Sequence, residues 1–138
     1  MHLEHQETTE QIIGSAFEVY RVLGYGFLEK VYQRAMIAEL SRRGLAAQEE
    51  APLEVFYKGS CVGNYAADLF VEERVVVELK TCKTLCPEHE AQLLNELKAI
   101  EATVGLLINF GPEKVAFRRF VASNTSSAQN PRPSVATL

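Results

Sequence analysis

Hydrophobic positions recur with helical spacing in the first third of the chain. Apolar residues recur every three to four positions or so over residues 8–23, which predicts an amphipathic helix. A second stretch, residues 27–43, has the same spacing and is followed by Gly44, a common helix terminator. Gly24-Tyr25-Gly26 lies between them, so the sequence predicts two consecutive helices.

The pattern then changes to strict alternation, which is typical of β-strands. Residues 45–50 and 53–57 predict two strands separated by a break at Pro52. Residues 61–71 and 75–81 predict a β-hairpin.

The last part of the pattern predicts one more helix and two more strands. The helix is expected from Pro87 to about residue 102, and the strands at residues 104–110 and 115–121. The helix gives a crossover long enough to join two parallel strands. The fold class expected is therefore α/β (α+β), with a central mixed β-sheet flanked by helices.

Composition and length fit one such domain. The chain has 138 residues, of which 47% are hydrophobic, enough for a core. We expect a domain over residues 1–122 and a disordered tail over residues 123–138, which are rich in Ser, Asn and Pro. No apolar run reaches the ~18 residues of a membrane span, and the polar N-terminus does not resemble a signal peptide. The expected location is cytoplasmic, with no membrane partner.

Charge and cysteine content restrict the chemistry only weakly. The net charge of -4 argues against a basic coat for nucleic acid, but a local basic cleft remains compatible with it. The odd cysteine count (Cys61, Cys82 and Cys86) does not indicate a disulfide framework. Cys82 and Cys86 have a spacing that could begin a metal site, but reduced thiols are the favoured interpretation because a closed site normally needs about four ligands.

The candidate chemistry lies in the predicted hairpin. Asp68 and Glu78 interrupt runs that otherwise predict buried strand, and Lys80 follows two positions after Glu78. Buried charges are costly unless they are paired or bind a metal. Glu78 and Lys80 share one face of their strand, opposite Val75, Val77 and Leu79.

Whether Asp68 joins Glu78 depends on the hairpin register. A two-residue turn would pair Asp68 with Val77 and separate the acids, whereas a three-residue turn at residues 72–74 pairs Asp68 with Glu78 and Val71 with Val75. We predict the second register.

In that register the residues suit metal-dependent phosphodiester hydrolysis. Asp68, Glu78 and the backbone carbonyl of Leu79 would bind Mg²⁺ (or Mn²⁺), which prefers oxygen ligands. Lys80 would orient the attacking water and stabilise the developing negative charge. The alternative is a surface hairpin with a solvated Glu–Lys pair.

Several motifs together resemble the GxxExxY family of the PD-(D/E)XK nuclease-like superfamily. They are Gly26-Phe-Leu-Glu29-Lys-Val-Tyr32, Asp68 with Glu78-Leu79-Lys80, His89-Glu-Ala-Gln92-Leu-Leu-Asn-Glu-Leu-Lys98, and Gly105-Leu-Leu-Ile-Asn-Phe-Gly111. Ala67 replaces the proline that often precedes the aspartate. The resemblance covers residues 8–121 and implies a restriction-endonuclease-like core of order α-β-β-β-α-β.

The resemblance also implies further site residues. Glu29 would be a third acid at the metal, although a first-turn helix acid is the plainer interpretation of that position. Tyr32 lies on the same helix face as Glu29, and core packing explains this tyrosine as well as a role in the site does. Gln92 would lie beside the active site, where related exonucleases often have an aromatic residue four positions later and this chain has Glu96. For His89, a surface position at the helix start is favoured over a catalytic role.

Three functions follow as hypotheses. The first is a Mg²⁺-dependent nuclease, with DNA favoured over RNA as the nucleic-acid partner. The alternative is a non-catalytic module with the nuclease fold that binds nucleic acid or a protein partner, an option favoured by the acidic net charge. A weaker third is hydrolysis of a small phosphate ester. An exposed edge strand, at residues 45–50 or 115–121, would permit a homodimer.

Overall fold

The computed structural model describes residues 4–102, 104–122 and 135–137. Its three helices are α1 (Gln6–Leu23), α2 (Glu29–Arg42) and α3 (Pro87–Ala99), and its six strands are β1 (Ala47–Tyr57), β2 (Ser60–Val71), β3 (Val75–Lys80), β4 (Val104–Phe110), β5 (Val115–Ala122) and β6 (Val135–Thr137). None of the described helices is long and apolar enough to cross a membrane.

The strands form one mixed sheet in the order β1-β2-β3-β4-β5-β6. β3 and β4 run parallel, joined by the α3 crossover, and the other neighbouring pairs are antiparallel. The predicted parallel crossover and the mixed sheet with flanking helices are confirmed. The succession α2-β1-β2-β3-α3-β4 is the α-β-β-β-α-β core expected of a restriction-endonuclease-like fold.

The strand break predicted at Pro52 is wrong. β1 continues through it, and Pro52 pairs with Ala66 of β2. β1 is the edge strand of the described sheet, and an edge strand tolerates a residue that lacks an N–H because one of its sides needs no ladder bonds.

The two faces of the sheet carry separate cores. On one face, α1 and α2 pack against side chains such as Val75, Val77 and Leu79 of β3. On the other face, α3 contributes Leu93 and Leu97 to a smaller core that includes Val76. Alternation along β3 therefore sends Glu78 to the α3 face, as predicted.

β1 and β2 exchange faces partway along their length. Leu69 belongs to the core under α1 and α2, but Ala67, two positions away and expected on the same face, belongs to the α3 core. The change coincides with Glu50, whose φ of 51° is left-handed, and the Glu50–Asp68 pair is missing although the register is the same on both sides of it. The ribbon is therefore turned over at Asp68.

Beyond this point the hairpin extends past the rest of the sheet. β3 pairs with β2 only from Leu69 to Val71, so the earlier part of β2 pairs with β1 alone. We call residues 52–66 of this two-stranded ribbon the β-arm. Its base, at Ala51, Leu53 and Ala67, packs on α3.

The end of the chain is described only in part. The tail predicted at residues 123–138 falls largely on residues 123–134 and 138, which lie outside the described residues, so that prediction stays open. Val135–Thr137 form β6, a strand that the sequence pattern did not predict. Because β6 pairs with Phe120, Val121 and Ala122, the end of β5 is not a free edge, contrary to one of the two expected edges.

Candidate active site

The loop before α2 fixes the position of Glu29. Gly26 has a φ of 112°, a conformation that side chains with a Cβ rarely adopt. The buried hydroxyl of Tyr32 donates a hydrogen bond to the Gly24 carbonyl and lies 3.5 Å from the Phe27 nitrogen. Tyr32 therefore anchors the loop from within the core, and Glu29 begins the helix that follows it.

The hairpin has the register predicted from the sequence. Val71 lies opposite Val75, and the pairing continues to Leu69 and Val77. At the next position the ladder is replaced by bonds to side chains. The Asp68 N–H donates to Glu78 Oε2 at 3.0 Å, and the Leu79 N–H donates to Asp68 Oδ2 at 2.7 Å. The two acids are thus brought together.

Gln33 of α2 stabilises the strand exchange from the other side. This side chain is only 3% exposed, and its Nε2 donates to the Asp68 carbonyl at 2.8 Å and to Glu50 Oε1 at 3.1 Å. It satisfies a backbone carbonyl at a place where the β1–β2 register has no pair. Gln33 could not be predicted from the sequence, because a glutamine within an amphipathic helix carries no distinctive pattern.

Glu96 is a second residue that the sequence analysis did not place in the site. It is 5% exposed on α3, its carboxyl hydrogen-bonds to that of Glu78, and Gln92 Nε2 donates to its Oε2 at 3.1 Å. Gln92 therefore reaches the acids through Glu96. Helical spacing offered a signal, since Glu96 follows Gln92 by four positions and directly precedes the buried Leu97.

Burial and mutual repulsion raise the pKa of every carboxyl in this cluster. Burial is the largest cause for Glu78, whose pKa rises to about 10, followed by its hydrogen bond with Glu96 and the charge of Asp68. Burial also raises the pKa of Asp68 and of Glu96. Glu29 is a solvent-exposed residue, and its pKa is raised by partial desolvation and then by the charge of Asp68.

Lys80 is the cation that opposes these acids. Its charge lowers the pKa values of Glu29, Asp68 and Glu96 against the larger effect of desolvation. One lysine facing four carboxyls leaves an excess of negative charge when the acids are ionised. In the metal-free state the cluster therefore retains protons, with Glu78 protonated at neutral pH.

The donor set fits a hard divalent cation. Glu96 Oε1 is buried and has no hydrogen-bond partner, and carboxylate oxygens are the ligands that Mg²⁺ prefers. Among the described residues, however, no three carboxyl, histidine or cysteine groups already converge as a metal site.

The remaining candidates have structural roles. Tyr32 stacks on Phe110, with ring centroids 4.3 Å apart. His89 Nδ1 accepts the Cys86 N–H at the start of α3, which is a helix-capping role. Cys61, Cys82 and Cys86 form no disulfide, and Cys61 is exposed whereas the other two are half-buried.

Comparisons with known proteins give one family and several structural neighbours, of which two are described here. The model of the PD-(D/E)XK nuclease superfamily matches residues 6–120. The crystal structure of SSO0001 has a TM-score of 0.55 at 20% identity and covers 83% of this chain, which spans only 57% of that protein. Hjc, a Holliday junction resolvase from the archaeal hyperthermophile Archaeoglobus fulgidus, has a TM-score of 0.42 at 19% identity, with coverage of 71% of this chain and 83% of that one.

None of the curated proteins matches the chain. The likeness to SSO0001 agrees with the fold described above and carries no information on activity. The family match, by contrast, spans most of the chain, including both strands of the hairpin that holds Asp68 and Glu78. The protein belongs to the PD-(D/E)XK nuclease superfamily.

Proposed function

We propose that this protein is a Mg²⁺-dependent nuclease that hydrolyses phosphodiester bonds, with DNA as its substrate. The observation that carries the proposal is the Asp68–Glu78 pair, in which each carboxylate accepts a backbone N–H of the other strand, with Lys80 on the same strand as Glu78. The motif around Gly26, Glu29 and Tyr32 supports a finer assignment to the GxxExxY family.

Asp68, Glu78, Glu29 and the Leu79 backbone carbonyl are the proposed ligands of Mg²⁺ (or Mn²⁺). When bound, such an ion polarises a phosphate and lowers the pKa of a coordinated water. Asp68 and Glu78 must give up their protons to bind it, so ion binding and deprotonation of the cluster are coupled. Glu96 accepts a hydrogen bond from Gln92 and holds the carboxyl of Glu78 in position through the hydrogen bond between the two acids.

Lys80 has a separate role. Its ammonium group lies within electrostatic range of three of the carboxyls and donates hydrogen bonds without accepting them. It is therefore suited to hold the attacking water and to stabilise the negative charge that develops on the phosphate oxygens. Gln92 is proposed to position the scissile strand at the edge of the cluster.

The proposal is tested by cleavage of plasmid DNA and of single-stranded circular DNA with Mg²⁺ or Mn²⁺. Asp68→Ala and Lys80→Ala should each lower the cleavage rate by roughly a hundredfold or more, and chelation of the metal should abolish it. Lys114→Ala is the matched control, since it removes an exposed lysine of the β4–β5 turn. Equal cleavage by wild type and both site variants would contradict the proposal.

One observation favours the alternative of a non-catalytic module that binds nucleic acid or a protein partner. In the described residues the carboxyls bond to one another and to backbone N–H groups, and no three of them converge on a point. Calorimetric titration with Mg²⁺ and Mn²⁺ separates the two functions. Binding that Asp68→Ala removes supports the nuclease, and absence of binding at millimolar concentration supports the module.

Two further expectations belong to the same proposal. A cytoplasmic location is expected, as is a nucleic-acid partner. A homodimer would use the edge strand β1, whose outer side has no strand partner among the described residues. Analytical ultracentrifugation tests the homodimer directly.

A further inference from the structure

A groove lies between the β-arm and α3, beside the acid cluster. It has a volume of about 750 Å³. Leu53 to Phe56 of β1 and Tyr65 of β2 form one wall, and the exposed side of α3 forms the other. Gln92 and Glu96 line the groove and also belong to the acid cluster, so the groove and the candidate active site are continuous.

Phe56, next to a β-bulge in the arm, is an aromatic residue that lines this groove. The β1–β2 register shifts between Val55 and Phe56, and both residues line the groove although they are neighbours in one strand. The residue left without a partner at this shift is Val62 of β2, so the bulge adds local twist to the arm next to Phe56. Phe56 is 60% exposed, so its ring is available to a ligand.

Tyr65 supplies a second exposed ring on the same wall. It is 59% exposed, and its ring lies across Gly63, where an added Cβ would come within 3.2 Å of the ring. Gly63 pairs with Val55, the residue before Phe56. Tyr65 is therefore held along the arm towards the bulge, and the two aromatic side chains border the same stretch of the groove.

The polar lining fits bases better than phosphates. Glu54, Glu88 and Glu96 outnumber Lys98, so the groove repels a phosphate backbone. The side-chain amides of Gln92 and Asn95 both donate and accept hydrogen bonds, as the edges of unpaired bases do. Exposed aromatic rings stack on bases irrespective of sequence.

We propose that this groove binds the unpaired bases of a single strand whose phosphate lies at the acid cluster. The inference rests on the proposed nuclease function, and it adds a substrate class: single-stranded or unpaired ends rather than continuous duplex. The bases stack on Phe56 and Tyr65, and the backbone follows the outer side of the groove towards Lys80. Duplex DNA offers the same phosphates, but its bases are already stacked and cannot enter.

The test measures binding, so it does not depend on cleavage. The probes are a short fluorescein-labelled oligothymidylate with phosphorothioate linkages, which slow hydrolysis, and a labelled blunt duplex of similar length, both with Mg²⁺. Phe56→Ala and Tyr65→Ala should each weaken oligothymidylate binding by roughly tenfold. Both should leave duplex binding within about twofold of wild type.

Matched variants separate stacking from general damage to the arm. Tyr57→Ala removes an equally exposed aromatic ring from the same strand, one that does not line the groove, and should bind as wild type does. Tyr65→Phe keeps a ring and should retain binding. Thermal melting of each variant checks that the protein remains folded.

The inference is overturned if Phe56→Ala and Tyr65→Ala bind oligothymidylate as tightly as Tyr57→Ala, which would leave the groove to another occupant such as an apolar peptide. It is also overturned if these two variants lose affinity for the oligothymidylate and for the duplex equally, or if wild type does not bind oligothymidylate. These outcomes are distinct from failure of the proposed function, which is shown by cleavage that Asp68→Ala does not affect.

Discussion

The two faces of the sheet differ in what they bury. Under α1 and α2 the buried side chains are largely apolar, and the stacked rings of Tyr32 and Phe110 lie among them. Under α3 the core is smaller and adjoins two buried acids, Glu78 and Glu96. The α3 face therefore carries the cost of two neighbouring buried carboxyls, and their desolvation raises both pKa values.

The same strand serves both faces. Alternation along β3 gives Val77 and Leu79 to the apolar core and Glu78 to the acid cluster. Packing of Val77 and Leu79 holds β3 in place, and the position of β3 in turn determines where Glu78 lies. This arrangement allows a destabilising cluster to persist, because the cost is carried by well-packed neighbours.

The sharpest test of the apolar face is Tyr32→Ala. Removing this fully buried ring leaves a cavity against Phe110 and frees the Gly24–Phe27 loop, so we expect a loss of about 3–5 kcal/mol in the free energy of unfolding. Urea denaturation followed by circular dichroism measures it. Tyr25→Ala, which removes a half-exposed tyrosine from the same loop, should change stability by less than about 1 kcal/mol. Similar losses in the two variants would contradict a core role for Tyr32.

A smaller loss is expected at the junction of the two faces. Gln33→Leu leaves the Asp68 carbonyl and Glu50 without their amide donor, which should cost about 1–3 kcal/mol. Gln48→Leu, at an exposed position of β1, is the control and should be nearly neutral. If the two variants have the same stability, the strand exchange at Asp68 does not depend on Gln33.

On the α3 face a substitution should stabilise the protein. The pKa of Glu78 rises from 4.5 to about 10, so the folded protein holds a proton that the unfolded chain releases. Its contribution to stability is complete below about pH 4.5 and declines as the pH rises towards 10. Gln at this position is neutral throughout, so metal-free Glu78→Gln should gain about 1–2 kcal/mol over wild type at mildly alkaline pH.

Thermal unfolding from acidic to alkaline pH measures this difference, which should widen as the pH rises. Glu113→Gln, at an exposed position of the β4–β5 turn, is the matched control and should not change the profile. A destabilised Glu78→Gln protein at alkaline pH would show that Glu78 is not a strained acid.

The sequence predicted most of this fold, because periodicity reports which face of a strand or helix is buried. The hairpin register followed from the requirement that Asp68 meet Glu78, and Val71 does lie opposite Val75. Continuous β1 through Pro52 could not be predicted, because a single sequence does not show which strand forms the edge of the sheet. Strand β6 is too short to give a periodic pattern.

The site was predictable where charge interrupts an apolar run, as at Asp68 and Glu78. Three site residues could not be predicted from the sequence, namely Gln33, Glu50 and Glu96. They lie in helices or alternating strands where polar residues are common, and their roles depend on tertiary contacts. The exchange of faces at Glu50 has no sequence signature, since a glutamate with a positive φ is an exception to its usual preference.

The central claim is that the acid cluster on the α3 face is completed by a divalent cation. Scanning calorimetry of the metal-free protein at neutral pH, with and without millimolar Mg²⁺, tests it most directly. Wild type should melt a few degrees higher with Mg²⁺, and Asp68→Asn should show little or no increase. No increase in wild type, or an equal increase in both proteins, would contradict the claim.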